Sequence, residues 1–344
     1  MLQELYDAVA QGRPIPANVD LETKDEYGRT PLLRAAMNDH VDLAKLLIKY
    51  RADVETVNRF YQTPLICAAE SGNTAILKVL LDAKASVDAL DRQDKSALTY
   101  AAAGSCTETV DILLKAKANV DTQDALRWTP LLQAASRGRV RNVQALLAAK
   151  AQVNAVDKLS RTALMWATLN DQTDVMKILI DAKAAVEVKD LTDHQSALFS
   201  AASNGSAIAT KLLLDAKATP EVKEFYDMTP LMLAASTGHV ETIELLLNAS
   251  ASVESKSRFG WTPLMHSANR GNCTAMKVFL EAKSALDTVD RDGRTALMLA
   301  AQNSHEEMIV MVGVEMAASL AVEVGGRERD ILQWNSIEET GIKE

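Results

Sequence analysis

The chain is poor in the residues that build disulfide-rich, metal-binding or β-sandwich proteins. Its 344 residues include three cysteines and five histidines, and aromatic residues make up 4%. Cys67, Cys106 and Cys273 lie far apart and form no C-x-x-C pair, which argues against a disulfide framework or a structural zinc site. With so few aromatic residues, the core must consist of Ala, Leu, Val, Ile and Met, which favours closely packed small helices over a β-sandwich.

The chain also lacks a basic excess and a long apolar run. Its formal net charge is −9 and its pI is about 5.2, whereas nucleic-acid binders are usually basic. The most apolar stretch, residues 308–324, contains Glu315 and Glu323. A charge at the bilayer centre costs about 2.5–3.5 kcal/mol, so we predict a buried terminal helix here rather than a membrane span. The N-terminal sequence MLQELYDAVAQG has no basic and apolar regions typical of a secretory signal, so we expect a reducing location in the cytoplasm or nucleus.

Sequence motifs for catalysis are missing as well. None of the five histidines lies in an H-E-x-x-H motif or at ligand spacing from a cysteine. The chain contains no G-x-S-x-G motif, no phosphate-binding glycine loop and no dinucleotide fingerprint. We therefore expect no enzyme activity, no cofactor and no metal site.

A short repeat with one constant period is the dominant feature that the chain does contain. The pattern Thr/Ser-Pro/Ala-Leu begins at Thr30, Thr63, Ser96, Thr129, Thr162, Ser196, Thr229, Thr262 and Thr295. The interval between consecutive copies is the same throughout, except that one additional residue separates Thr162 from Ser196. In most copies a pair of alanines lies in the second turn after the Thr or Ser, and a bulky apolar pair follows further along the repeat. Nine copies in one frame indicate a repeat architecture.

Each column of the repeat has a physical interpretation. Thr and Ser are good N-caps, and Pro suits the first helical position because its missing N–H would have no partner there. The alanine pair lets neighbouring helices approach closely, and the bulky pair forms the apolar stripe of a second, longer helix. The segment before each Thr or Ser is rich in Asp, Gly and Arg. One unit therefore reads as turn, short helix, loop and longer helix.

The repeated Thr-Pro-Leu and Ala-Ala elements resemble the signature of the ankyrin repeat family over about residues 1–318. This resemblance implies an all-α, curved and elongated solenoid of about ten stacked helix-turn-helix units with β-turn or hairpin fingers. It divides the chain into an N-terminal capping repeat with the first finger (1–29), eight repeats (30–294), a C-terminal capping repeat (295–324) and a tail (325–344). The tail is either frayed or a helical peptide anchored by Ile331, Leu332 and Trp334.

Two departures from the family pattern leave alternatives open. The glycine that usually ends the second helix is replaced, mostly by lysine. These lysines either complement the helix dipole, at about 0.3–1 kcal/mol each, or form a basic ladder for an acidic partner. The extra residue around 189–195 either distorts the stack locally, as a flexible point between two halves, or is absorbed by a bulged turn.

The fingers provide the strongest functional signal. The four positions before each Thr or Ser hold, over all nine copies, eight of the fifteen aromatic residues, and ten Lys or Arg against five Asp or Glu. Aromatic and Arg side chains are enriched in binding hot spots, although each ring could instead pack on the neighbouring finger. Together with nearby residues of the first helices, the predicted partner-binding residues are Tyr27, Arg59, Phe60, Tyr61, Tyr100, Arg127, Trp128, Arg137, Trp166, Phe225, Tyr226, Arg258, Phe259, Trp261 and Arg270.

The sequence therefore predicts a monomeric protein-interaction scaffold or adaptor. Its partner would be another protein, with an acidic and apolar segment that binds along the concave face of fingers and first helices that the resemblance implies. No small-molecule substrate is expected. One alternative is a regulatory or targeting arm of a larger enzyme of kinase or acyltransferase type. Nucleic-acid binding through the basic fingers is a second alternative that the acidic pI disfavours.

Overall fold

The structure, a computed structural model, describes residues 20–224 and 226–323, and these are almost entirely helical outside their turns. In chain order the helices are α1 (Pro31–Met37), α2 (Val41–Lys49), α3 (Pro64–Ser71), α4 (Thr74–Asp82), α5 (Ala97–Ala103), α6 (Thr107–Lys115), α7 (Pro130–Ser136), α8 (Val140–Ala148), α9 (Ala163–Leu169), α10 (Thr173–Asp181), α11 (Ala197–Asn204), α12 (Ala207–Asp215), α13 (Pro230–Thr237), α14 (Val240–Asn248), α15 (Pro263–Arg270), α16 (Cys273–Glu281), α17 (Ala296–Gln302) and α18 (Glu306–Glu323). Odd-numbered helices are the first and even-numbered helices the second of each repeat. The predicted all-α fold of helix-turn-helix units is confirmed.

The first helices all begin in the same way. The side-chain oxygen of the repeated Thr or Ser accepts a hydrogen bond from the backbone N–H of the residue three positions later. In α7 the N–H of Leu132 donates to Oγ1 of Thr129 at 3.3 Å. Proline occupies the first turn of α1, α3, α7, α13 and α15. This is the cap that the sequence predicted, and removing such an oxygen costs about 1 kcal/mol in comparable helices.

The second helices of the first eight repeats end in a Schellman motif without glycine. In α4 the N–H of Lys84 donates to the carbonyl of Leu81, and the N–H of Ala85 donates to the carbonyl of Leu80, both at 3.0 Å. Lys84 has a φ of +67°. The same left-handed position is taken by Arg51, Lys117, Lys150, Lys183, Lys217, Ser250 and Lys283. The lysine column therefore adopts a conformation that favours glycine, and its charge lies where the helix dipole is negative.

Successive repeats are joined by side chains that reach the end of the preceding first helix. The Nδ2 of Asn142 donates to the carbonyls of Ala102 and Gly104, both at 3.0 Å. At Gly205, which ends α11, a Cβ would lie 2.4 Å from Nδ1 of His239, so a larger residue would collide with that ring. The bonds of Asn142 satisfy carbonyls that a helix C-terminus leaves without an intrahelical partner.

The core lies between the first helices and the inner faces of the second helices. The position three residues after each Thr or Ser is apolar and fully buried at Leu33, Ile66 and Leu132. Met298, at the same position of the last described repeat, is 54% exposed. Each first helix therefore depends on the next repeat to cover its apolar side.

The chain divides into two compact units, residues 1–191 and 192–344. Unit 1 contains α1 to α10 and unit 2 contains α11 to α18. The boundary falls within residues 189–195, the turn in which the sequence places an extra residue. A flexible point there remains a prediction. Residues 1–19 of the predicted N-terminal cap, the predicted tail, and Phe225 lie outside the described residues.

The apolar terminal segment forms α18, which packs against α17 and α16. Among the described residues no helix is both long enough and apolar enough to span a bilayer.

Candidate functional site

Most fingers are short hairpin loops closed by backbone hydrogen bonds. In the second described finger the N–H of Asn58 donates to the carbonyl of Gln62 at 3.2 Å, and the N–H of Tyr61 donates to the carbonyl of Asn58 at 3.0 Å. Tyr61 has a φ of +63°. A three-residue loop that ends in a left-handed residue is a common hairpin connection. The same left-handed position is held by Gly28, Asp94, Arg127, Ser160, His194, Asp227, Gly260 and Gly293.

A polar side chain five residues before the Thr or Ser fixes the shape of most fingers. The Oδ1 of Asp91 accepts the N–H of Gln93 at 2.8 Å and the N–H of Lys95 at 2.9 Å. The corresponding residues Asp25, Asn58, Asp124, Asp157 and Asp290 each accept two backbone N–H groups in the same way. Sequence reasoning missed this column because it considered only the four residues before each cap. The recurring Asp or Asn was the available signal.

Backbone hydrogen bonds connect neighbouring fingers within each unit. In unit 1 the bonds from N–H to carbonyl are Arg59 to Tyr27 (3.4 Å), Arg92 to Phe60 (3.0 Å), Ala125 to Gln93 (2.8 Å), Lys158 to Leu126 (3.1 Å) and Leu191 to Leu159 (2.9 Å). In unit 2 they are Arg258 to Tyr226 (2.8 Å) and Arg291 to Phe259 (3.2 Å). The fingers of each unit are therefore held in register, and equivalent side chains form a row.

We define the tip ridge as the residues of unit 1 that lie three positions before the cap: Tyr27, Phe60, Gln93, Leu126 and Leu159. Phe60 is 66% exposed, Leu126 59% and Tyr27 54%. Leu126 and Leu159 were absent from the predicted site because leucine, unlike aromatic residues and arginine, is not enriched in binding hot spots. Leu191, whose N–H bonds to Leu159, is a third exposed leucine that was missed. The position of Leu126 and Leu159 in the column of Tyr27 and Phe60 was the signal that could have found them, whereas Leu191, five positions before its cap, lies outside that column.

The tip ridge is flanked by exposed charges, most of them positive. Arg59, Arg92 and Lys158 each lie directly before a ridge residue, and Arg127 lies directly after one. Among the described tips of the first to fifth fingers, the exposed acidic residues are Glu26 and Asp94. The ridge therefore combines apolar and cationic character.

Tyr61, directly after Phe60, is 59% exposed at a finger tip. The remaining predicted aromatic residues of unit 1, Tyr100, Trp128 and Trp166, lie at the bases of the fingers. The hydroxyl of Tyr100 donates to Oδ2 of Asp91 at 2.6 Å, and the Nε1–H of Trp166 donates to Oδ2 of Asp157 at 3.0 Å. Burial raises the pKa of Tyr100, and its hydrogen bond with Asp91 raises it further, so its hydroxyl stays a donor. The ring of Trp128 lies 4.7 Å from that of Trp166. These half-buried side chains tie each finger to the first helix.

Unit 2 also has exposed aromatic side chains at finger tips and a half-buried one at a finger base. The exposed rings of Tyr226 and Phe259 stack with centroids 5.9 Å apart, and the guanidinium of Arg258 lies 6.0 Å from the Tyr226 centroid. Trp261 is a base residue: its Nε1–H donates to Oδ2 of Asp290 at 2.9 Å, and its ring lies 5.2 Å from that of His266.

Arg137 and Arg270 are the two predicted site residues that lie away from the fingers. Both are exposed, Arg137 as the C-cap of α7 and Arg270 as the last residue of α15. Because a first helix begins next to its finger, its C-terminus is the end remote from the finger. Sequence proximity to the first helix did not reveal which end these side chains would occupy.

Two ionisable groups at the finger bases of unit 2 have shifted pKa values. Burial raises the pKa of Asp290, but hydrogen bonds from Arg294 and from Trp261 outweigh it and place the pKa below the usual value. Burial and, to a lesser extent, the nearby charge of Arg270 lower the pKa of His266 to about 4. The aspartate thus acts as an ionised acceptor, while the histidine is neutral at physiological pH.

The described residues contain no group of His, Cys, Asp and Glu side chains arranged to hold a metal ion. A family model for ankyrin repeats in three copies matches residues 50–124, 98–190, 183–257 and 249–313 in overlapping windows. A model for a single ankyrin repeat matches residues 27–59. No curated protein matches the chain.

Proposed function

Because the chain belongs to the ankyrin repeat family, whose repeats serve protein–protein interaction, we propose that it is a scaffold or adaptor that binds an acidic and apolar protein segment along its tip ridge. The family is typically a non-catalytic interaction module. The observation that carries the proposal is the row of exposed apolar side chains, since they contribute nothing to the core.

The backbone at Tyr61 supports this proposal. An L-residue in the left-handed region costs about 1–2 kcal/mol, and bulky residues there are outliers. Gly28, Gly260 and Gly293 take the same position in other fingers. Tyr61 nevertheless holds an aromatic ring that is 59% exposed in this conformation. An aromatic side chain that is retained in a strained and exposed position is accounted for by contact with a partner.

Charge defines the kind of partner. The cations that flank the ridge lie close to its apolar side chains, although the whole chain carries −9. A segment with carboxylates next to aromatic or aliphatic residues would pair with both features. Charges at the rim mainly raise the association rate, while the apolar side chains at the centre supply affinity.

The finger bases take a different role in this proposal. Tyr100, Trp128 and Trp166 position the tips, because their polar groups and ring faces are already used within the protein. In unit 2, Tyr226 and Phe259 form a second exposed aromatic pair, which we propose as a separate contact for partner residues.

The test is a selection of random peptides of sixteen positions, displayed on phage, against the full chain. We expect enriched peptides with net negative charge and at least two large apolar residues. The variant Phe60→Ser/Tyr61→Ser/Leu126→Ser should bind the enriched peptides at least tenfold more weakly, with an unchanged melting temperature to within a few degrees.

Tyr50→Ser/Ile208→Ser is the matched control, since these exposed apolar residues lie outside the fingers at 40% and 59% exposure. It should bind like the natural chain. Equal affinity of the natural chain and the tip variant would refute the tip ridge as the binding surface. Enrichment of basic peptides would refute the proposed charge of the partner.

A further inference from the structure

Helix α18 differs from the other second helices on its solvent side. The fifth position of the second helix is Lys45, Lys78, Asp111, Gln144, Lys177, Lys211, Glu244 and Lys277 in the first eight repeats. The ninth position is Lys49, Asp82, Lys115, Ala148, Asp181, Asp215, Asn248 and Glu281. In α18 the same two positions are Val310 and Val314, which are 54% and 50% exposed. The packing of a second helix therefore does not require apolar residues here.

A third substitution adds charge beside these valines. The position directly after the ninth is alanine in seven repeats and tyrosine in one, but it is Glu315 in α18. The helix also continues to Glu323 and is 18 residues long, whereas the other second helices have nine. Three departures on one helical surface indicate a feature with its own function.

These residues border an open groove of about 480 Å³ between α16 and α18. Leu280, Val310, Met311 and Val314 form its apolar lining, and Glu307 and Glu315 lie at the same groove with exposed side chains. The two glutamates are eight residues apart on one helix, which corresponds to about 12 Å. An apolar strip with a carboxylate near each end fits about two turns of a helix that carries basic residues on both sides of an apolar stripe.

We propose that this groove, independently of the tip ridge, is a second docking site for a basic amphipathic helix of a partner protein. Charge complementarity selects this occupant: Glu307 and Glu315 would pair with Lys or Arg side chains of the partner helix. A second copy of this chain would bring the same glutamates together, and like charges at close range repel.

The probes are two fluorescein-labelled peptides of five helical turns with the same Leu and Ala stripe. One carries Lys at the polar positions and the other carries Glu. We expect the full chain to bind the Lys peptide at least tenfold more tightly than the Glu peptide in fluorescence anisotropy, and more weakly as salt is raised.

Val310→Lys/Val314→Glu gives α18 the pair that α16 carries, Lys277 and Glu281, so the helix retains a pattern that this fold accepts. This variant should bind the Lys peptide at least tenfold more weakly. Glu315→Ala restores the residue of the other repeats and should reduce the salt dependence. The control Lys211→Val/Asp215→Val creates the same valine pair on α12 and should add no second binding site.

Several outcomes would overturn the proposal. These are similar affinities for the two peptides, no binding by the natural chain, and no loss in the Val310→Lys/Val314→Glu variant. A triple variant, Ile331→Ala/Leu332→Ala/Trp334→Ala, tests the chain's own C-terminal residues as the occupant. If this variant binds the Lys peptide at least tenfold more tightly than the natural chain does, those residues occupy the groove. If sedimentation shows a dimer that the Val310→Lys/Val314→Glu variant loses, its occupant is a second copy.

Discussion

Phe60, at a finger tip, exposes 66% of its surface, whereas Trp166, at a finger base, donates its Nε1–H to Asp157 and packs against Trp128. Both positions hold large aromatic rings within a few residues of the same type of helix cap. At the base, ring contacts and a partly buried hydrogen bond fix the side chain. At the tip, the backbone is fixed and the side chain is left to water. Aromatic content alone therefore does not mark a binding surface in this repeat.

The comparison implies that stability resides at the bases and binding at the tips. Substitutions at the bases should lower the free energy of unfolding, and substitutions at the tips should change it little or even raise it. The expected effects below run from the largest to the smallest.

The largest effect is expected at the anchoring aspartate of a finger. Asp157 is 3% exposed and accepts hydrogen bonds from the N–H groups of Leu159 and Arg161 and from Trp166. Asp157→Ala leaves three donors without this acceptor, so we expect a loss of about 3–4 kcal/mol in urea unfolding.

Asp157→Asn is the matched control, because Asn58 fills this position in another finger and makes the same backbone hydrogen bonds. It should cost about 1 kcal/mol or less, the net value of a single hydrogen bond. Equal losses in the two variants would show that the negative charge, rather than the acceptor geometry, holds the finger.

The next effect depends on pH and arises at a base in unit 2. His266 is buried, and no hydrogen-bond partner accompanies its Nε2 in the described structure. Burial lowers its pKa to about 4, against about 6.5 in an unfolded chain. Between these values the unfolded chain binds a proton that the folded chain does not, so stability falls as pH drops from 6.5 to 4. The expected loss is about 3 kcal/mol at about 1.4 kcal/mol per pH unit.

His266→Gln removes the titrating imidazole. Glutamine is already present at the equivalent position of α7, as Gln133. The difference in unfolding free energy between the natural chain and the variant should change across pH 4–6.5 and level off above pH 7. A difference that is constant across the whole range would mean that the imidazole is as easily protonated in the folded chain as in the unfolded one.

A smaller effect isolates the hydrogen bond of a base aromatic. Trp166→Phe retains a ring next to Trp128 but removes the donor to Asp157. We expect a loss of about 1 kcal/mol, the usual net value of one hydrogen bond, in urea unfolding. Tyr100→Phe removes the corresponding donor to Asp91 and should give a similar value. A loss near zero in both would assign the role of the bases to ring packing alone.

Much of the fold was predictable because each repeat presents the same columns. The Thr cap, the following proline and the alanine pair indicated where α7 would begin and how it would pack, since local capping and close approach depend on residue type. The anchoring aspartates were visible as a column too, but their function became clear only from the backbone N–H groups that they accept.

The division between tips and bases was not predictable from residue type. Trp128, one position before its cap, packs on Trp166, while Leu126, three positions before, is 59% exposed. The hairpin loop turns the chain between these positions, so neighbours in sequence face different surroundings. The left-handed conformation of Tyr61 was not predictable either, because a tyrosine in the sequence does not suggest a positive φ.

The smallest expected effect has the opposite sign and concerns the tip. Tyr61→Gly relieves a left-handed conformation that costs about 1–2 kcal/mol, while the added chain entropy of glycine offsets about 0.5–1 kcal/mol of that gain. We therefore expect the free energy of unfolding in urea to rise by about 0.5 kcal/mol. Phe60→Gly, at the neighbouring position where φ is not positive, should instead lower it by a similar amount. Stabilisation by Tyr61→Gly, together with weaker binding of the selected peptides, would show that this tip residue is kept for its partner at the expense of the fold. A stability loss in Tyr61→Gly would mean that the ring supports its own finger, as the base aromatics do.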